Sequence, residues 1–92
     1  IGADIDCISR SVGERYAKYQ RKDHKGITIR TGNGIVQVHH YIPIHMRSDP
    51  DEIVSTKFWI LPELPYEFLV GRSTLFLLGY EFTKRSETYT HK

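Results

Sequence analysis

Two runs of alternating apolar and polar residues, separated by four residues rich in glycine, constrain this fold more than any other feature. The runs are ITIR (27–30) and IVQVHHYIPI (35–44), and TGNG (31–34) lies between them. A period of two is typical of a strand with one buried face. Asn33-Gly34 between two such runs is a strong hairpin signal, because both residues tolerate a positive φ. The sequence therefore predicts one long β-hairpin with a glycine-rich tip.

The segments on either side of this hairpin predict a helix, a loop and a turn. Ser11 and Glu14 have the spacing of a capping box, which predicts a short helix over residues 12–19. The polar stretch 20–26 is then a surface loop, and residues 47–52 form a turn.

The C-terminal half predicts further strands at 55–61, 68–70 and 80–82, and one more helix over 71–79. The strand over 68–70 is short and apolar, which favours burial on both faces. For the helix, the sequence predicts Ser73 as the cap, Gly79 as the end, and Leu75, Phe76 and Leu78 as the side facing the core. The fold class is therefore mostly β, with one domain over residues 1–82 and a flexible tail over 83–92.

Length, charge and composition limit the kinds of partner that such a domain can have. A chain of 92 residues has a thin core, and pairing with a second copy is a common way to stabilise one. A net charge of +2 is too weak to indicate nucleic acid as the main partner. Apolar runs are far shorter than a membrane span, so no membrane partner is expected. The single cysteine, Cys7, favours a reducing compartment.

Three motifs in order resemble a retropepsin, the retroviral type of aspartic protease. The chain opens IGADIDCIS, and Gly2-Ala3-Asp4 is similar to the end of the family's catalytic turn, Asp-Thr/Ser-Gly-Ala followed by Asp. ITIRTGNGIVQV (27–38) resembles the flap hairpin. FLVGRSTLFLLG (68–79) resembles the apolar strand that runs into Gly-Arg and a helix. The resemblance covers residues 1–82 and is closest to the proteases of gypsy-type retrotransposons and retrovirus-like polyproteins.

The resemblance implies a small closed barrel with a flap hairpin and a short C-terminal helix. It implies an aspartic endopeptidase that processes a Gag-Pol-like polyprotein, needs no cofactor, and works in the cytoplasm or in virus-like particles. The catalytic aspartate would stand immediately before Ile1, so we expect the chain to be a fragment or processed product, inactive alone. With one catalytic turn per chain, the enzyme would be a homodimer, and its substrate an extended polypeptide.

The resemblance also implies roles for individual residues. Ile1, Gly2 and Ala3 would form the active-site turn. Residues expected to bind substrate are Gly2, Asp4, Thr31, Gly32, Asn33, Gly34 and Leu69. Asp4 and Arg72 would form a partly buried ion pair that fixes the turn.

Two rival functions stay open. Ile1 stands where the family has Thr or Ser, whose hydroxyl braces the dimer, and isoleucine has no hydroxyl. That departure favours a catalytically inactive relative used for dimerisation or peptide binding. An unrelated small β-barrel binding module is the third hypothesis.

Other reactive side chains are interpreted as structural. His39 and His40 are adjacent on a strand, point to opposite faces and cannot readily share a metal ion, and with His45 they predict no metal site. Cys7 is expected to be a buried small hydrophobe. Asp6 is expected to face solvent or a pocket rim, and Trp59 to lie in the core or a dimer contact.

Overall fold

The computed structural model describes residues 4–48, 51–83 and 87–91. This part of the chain is mostly β, as the sequence predicts, with two short α-helices. The strands are β1 (Cys7–Ser9), β2 (Arg21–Thr31), β3 (Gly34–Ser48), β4 (Glu52–Leu61), β5 (Phe68–Leu69), β6 (Tyr80–Thr83) and β7 (Thr88–His91). The helices are α1 (Arg10–Arg15) and α2 (Arg72–Leu77), and a 3₁₀ turn over Ala17–Tyr19 follows α1.

The larger sheet has five strands in the order β2-β3-β4-β1-β5. β1 lies between β4, which it meets in parallel, and β5, which it meets antiparallel. All other pairs in this sheet are antiparallel. β2 and β5 are its two edges, so the described residues form an open sheet and not the closed barrel that the resemblance implies. A closed barrel would require the edge strands β2 and β5 to pair with each other. β2 has eleven residues and β5 has two, so β5 is too short for this pairing.

The core lies on both faces of this sheet. Cys7 and Ile8 follow each other on β1 and so point to opposite faces, as do Phe58 and Trp59 on β4. One buried cluster contains Cys7, Ile29, Val38, Trp59 and Leu61. The other contains Ile8, Val12, Ile42 and Phe58. The burial of Cys7 confirms its interpretation as a buried small hydrophobe, and the burial of Trp59 supports the core over the dimer contact.

The predicted hairpin is present, and its first strand is longer than expected. β2 begins at Arg21, so most of the predicted loop over 20–26 is strand. The pairing with β3 is irregular between Lys22 and Ile27. There the Asp23 carboxylate accepts hydrogen bonds from the amides of Lys25 and Gly26, which replace ladder bonds. Local side-chain bonding therefore lets a polar stretch continue the strand.

The hairpin separates from the rest of the sheet at one point. Tyr41 pairs with Arg21 on β2 and with Trp59 on β4. Beyond it, residues 34–40 of β3 pair with β2 alone, while β4 continues as the partner of β1 through Leu61. The tip half of the hairpin therefore projects over the end of β4, and a groove opens between them.

Helix α1 begins two residues before the predicted start, at Arg10. Its cap is Ser9 and not Ser11, because the Ser9 hydroxyl accepts a hydrogen bond from the Val12 amide at 3.3 Å. The α-helix ends at Arg15, and the 3₁₀ turn completes the predicted range to residue 19.

The connection between β3 and β4 is shorter than the turn predicted over 47–52. β3 runs to Ser48 and β4 starts at Glu52, where the two residues pair. Residues 49–50 of the predicted turn lie outside the described residues.

The predicted faces of β5 and α2 are wrong at Phe68 and Phe76. Phe68 is half exposed, so this short strand is not buried on both sides. In α2, Phe76 is 70% exposed, and the residue that the helix buries is Thr74. Leu75 and Leu78 are half-buried. Ser73 does not cap the helix, since the N-cap is Gly71, which has no side chain that could accept a capping hydrogen bond. The buried contact of the helix with the rest of the fold is polar, because the Thr74 hydroxyl donates a hydrogen bond to the Asp6 carboxylate.

The C-terminal residues form a second, two-stranded sheet. β6 pairs with β7, so a strand lies within the range 83–92 that the sequence predicts to be a flexible tail. All four residues of β7 are exposed. Gly79, at a φ of +92°, follows the end of α2 and allows the chain to turn into β6.

Candidate functional site

The tip of the β2–β3 hairpin is held by its own polar groups. The Thr31 hydroxyl donates to the Gly34 carbonyl oxygen at 3.1 Å and accepts from the Asn33 amide at 3.2 Å. Gly34 has a φ of +123°, a conformation that side chains disfavour, and this accounts for glycine there. Thr31, Gly32, Asn33 and Gly34 therefore form one exposed turn, as the sequence predicts.

A groove of about 420 Å³ lies between this turn and the segment that follows β4. We call it the tip groove. Thr31, Gly32 and Asn33 form one wall, and residues of the segment 61–65 form the other. Its volume falls within the range of small-ligand sites, about 300–1,000 Å³. Three of the residues expected to bind substrate therefore line one concave surface.

One hydrogen bond crosses the mouth of the tip groove. The Asn33 side-chain amide donates to the Glu63 carboxylate at 3.2 Å, and both residues are exposed. Exposed bonds of this kind contribute little to stability and exchange readily with water. This bond therefore holds the hairpin tip to the 61–65 segment only weakly.

Asp4 and Arg72 meet at the other end of the sheet. An Nη2 atom of Arg72 lies 3.4 Å from an Oδ2 atom of Asp4, although the two residues are 68 positions apart in sequence. The antiparallel pairing of β1 with β5 brings them together, because Asp4 shortly precedes β1 and Arg72 shortly follows β5. The predicted pair is therefore present. Its burial is not as predicted, since the Arg72 and Asp4 side chains are 61% and 65% exposed.

Asp6 is the polar residue that the sequence interpretation placed wrongly. It is 5% exposed, and its carboxylate accepts hydrogen bonds from three groups. The donors are the Gly71 amide at 2.6 Å, the Thr74 hydroxyl at 2.6 Å and the Thr56 hydroxyl at 2.5 Å. The Asp6 carbonyl oxygen also accepts from the Trp59 amide. Asp6 thus joins the segment before β1 to β4 and to α2.

The other residues assigned by resemblance are distributed differently. Ile1, Gly2 and Ala3 lie outside the described residues. Leu69 is half-buried on β5 opposite Cys7, where it packs against the core. It does not line the tip groove, nor does Asp4.

The thiol of Cys7 is fully buried. Burial, with a smaller effect from the neighbouring Asp6 carboxylate, raises its pKa from 9.0 to about 11. The thiol therefore stays protonated at neutral pH, which makes it a poor nucleophile.

The histidines of β3 make local bonds. His39 Nδ1 lies 3.1 Å from the Asp23 carbonyl oxygen, and His45 Nδ1 lies 2.7 Å from the Ser55 hydroxyl. Within residues 4–48, 51–83 and 87–91, His, Cys, Asp and Glu side chains form no group of three that could hold a metal ion. In the same ranges, no helix has the length and apolar character to cross a membrane.

Comparison of the chain with models of protein families, with curated proteins and with solved structures found no match.

Proposed function

We propose that this chain belongs to a retropepsin-type aspartic endopeptidase, of the kind found in gypsy-type retrotransposons, that processes a Gag-Pol-like polyprotein when intact. The observation that carries the proposal is the meeting of two distant motifs. Asp4, which follows Gly2-Ala3, lies 3.4 Å from Arg72, which follows Gly71. The resemblance pairs these two positions, and nothing in the local sequence requires them to meet.

The chemistry requires two carboxylates that face one water molecule. Like charges at close range cannot both ionise, so the pair shares one proton. One carboxylate then takes a proton from the attacking water, and the protonated one polarises the scissile carbonyl group. In this proposal each chain supplies one aspartate, immediately before Ile1, and the site lies on the two-fold axis of a homodimer.

The hairpin and the tip groove support a polypeptide substrate. An extended peptide under the tip would offer its main-chain groups to the hairpin, as an added strand does at a sheet edge. Gly32 leaves room for close approach, because no atom lies within 4 Å of where its Cβ would be. The weak Asn33–Glu63 bond would break to admit the peptide.

The fold proposed for the complete enzyme is a retropepsin-like small closed barrel with a flap hairpin and a short C-terminal helix, and the enzyme is a homodimer. β1, between its parallel and antiparallel partners, would carry the catalytic turn at its N-terminal end. The proposed location is the cytoplasm or virus-like particles.

A second candidate is a catalytically inactive relative that binds peptide or dimerises. The residue that favours it is Ile1, which lacks the hydroxyl that braces the family's dimer. Under this hypothesis the tip groove binds peptide and no bond is cleaved.

The decisive experiment expresses the parent reading frame from upstream of Ile1 and measures cleavage of its polyprotein. The proposal predicts cleavage that disappears when the residue before Ile1 is changed from Asp to Asn. An Ile1→Thr variant separates the two candidates. If the parent product is inactive and Ile1→Thr restores cleavage, the chain is an inactive relative. If neither cleaves, the protease proposal fails.

A further inference from the structure

The tip groove combines an apolar lining with the polar hairpin tip and a single carboxylate. Val36, Leu61, Pro62 and Pro65 form its apolar part, and Val36 is half-buried. Among the described residues that line it, Glu63 is the one with an ionisable side chain. Arg30 precedes the tip but does not line the groove. An apolar surface with a single carboxylate beside it matches a side chain with an aliphatic stem and a cationic end.

We propose that the tip groove is a subsite for a lysine or arginine side chain of an extended peptide. The inference rests on the proposed function, because it takes the peptide under the hairpin as given. The methylene stem packs between Val36 and the prolines, and the cationic end reaches the Glu63 carboxylate. The Asn33 amide, which donates to that carboxylate at 3.2 Å in the free protein, turns its carbonyl oxygen to the same cation.

Glu63 can receive this charge because its present partner is neutral. Asn33 supplies one amide donor and no charge, so the carboxylate has no cationic partner among the described residues and keeps unused acceptor sites. In contrast, two other carboxylates near the sheet already have cations: Asp4 has Arg72, and Glu67 has Arg15 at 3.7 Å. The charge at the groove mouth is therefore available to a ligand.

The test uses three blocked octapeptides that are identical except at one central position, which is lysine, norleucine or glutamate. The other seven positions are Ser, Ala and Val, so the central residue carries the only difference in charge. Binding is followed by the NMR amide shifts of Gly32 and Asn33 and of the 61–65 segment, at two salt concentrations. Lysine and norleucine share the aliphatic stem, and their comparison isolates the charge.

The proposal predicts that the lysine peptide binds about fivefold more tightly than the norleucine peptide, with a preference that falls as salt rises. Glu63→Gln keeps an acceptor for Asn33 and removes the preference. Glu63→Lys reverses it in favour of glutamate. Glu52→Gln is the matched control, because Glu52 is an exposed glutamate at the opposite end of β4, and it leaves the preference unchanged.

The outcomes separate this inference from the protease proposal. Equal binding of the three peptides, with shifts at the tip, overturns the basic subsite and leaves a peptide groove. Absence of shifts at the tip with every peptide overturns the subsite and removes the groove's support for the protease. A lysine preference that depends on Glu63, found while the parent product fails to cleave, supports the subsite and overturns the protease.

Discussion

Asp6 and Thr74 are joined by a buried hydrogen bond of 2.6 Å across 68 positions of sequence. The same carboxylate accepts from the Gly71 amide, so it holds the first turn of α2, where Arg72 lies. Since Asp6 comes two residues after Asp4, this bond positions the two motifs whose meeting carries the functional proposal.

Replacement of Asp6 is expected to be the most destabilising change near the proposed active-site turn. Asp6→Ala leaves a buried amide and two hydroxyls without their acceptor, which costs about 3 kcal/mol or more in the free energy of unfolding. Asp6→Asn keeps one acceptor oxygen and costs less. Urea unfolding measures both. The control is Asp4→Ala, exposed and two residues away, and an equal loss in the two alanine variants would contradict the anchoring role of Asp6.

Arg72→Ala is expected to have a small effect on folding. Both partners of the Asp4–Arg72 pair are more than half exposed, and exposed ion pairs contribute about 0–1 kcal/mol. The variant should lose less than about 1 kcal/mol, and the difference from the parent should shrink as salt rises. Denaturant unfolding at low and high salt tests this. A salt-independent loss of more than about 2 kcal/mol would indicate a buried pair.

Gly26→Ala should destabilise the hairpin strongly, and Gly32→Ala should not. Gly26 has a φ of +65°, and an added Cβ would lie 2.4 Å from the Val38 carbonyl oxygen. Strain and clash together should cost about 2 kcal/mol or more. At Gly32 an added Cβ meets nothing within 4 Å and no unusual φ opposes it. Thermal unfolding of the two variants compares them directly, and similar melting temperatures would refute the irregular pairing at Gly26.

Cys7 should make stability fall at alkaline pH. The folded thiol has a pKa of about 11, against 9.0 for an ordinary thiol. Between these values the unfolded chain binds fewer protons than the folded one, so the free energy of unfolding decreases as pH rises from about 9 to about 11. The loss attributable to Cys7 is roughly 2–3 kcal/mol. In Cys7→Val this part of the decrease disappears, and parallel pH profiles for the two proteins would contradict the assignment.

The hairpin could be predicted from sequence, because its signal is local. Alternation and Asn33-Gly34 specify two strands and a turn without reference to the rest of the chain. The meeting of Asp4 and Arg72 could be predicted only through the family resemblance.

The role of Asp6 could not be predicted, because its partners Thr56 and Thr74 are 50 and 68 positions away. The hydrogen bond between Thr74 and Asp6 explains why the predicted face of α2 is wrong at Phe76. The bond sets which side of the helix faces the sheet, so the apolar pattern of Leu75, Phe76 and Leu78 does not identify that side. The sequence held one hint of this burial. Asp6 directly precedes Cys7-Ile8, a pair that is fully buried, and its own side chain is buried with them.

The residue that immediately precedes Ile1 in the parent reading frame tests the central claim most directly, and sequencing that frame identifies it. The account predicts aspartate at the end of an apolar strand. A residue without a carboxyl group there would leave nothing to activate water at the two-fold axis, and the proposed protease would be contradicted.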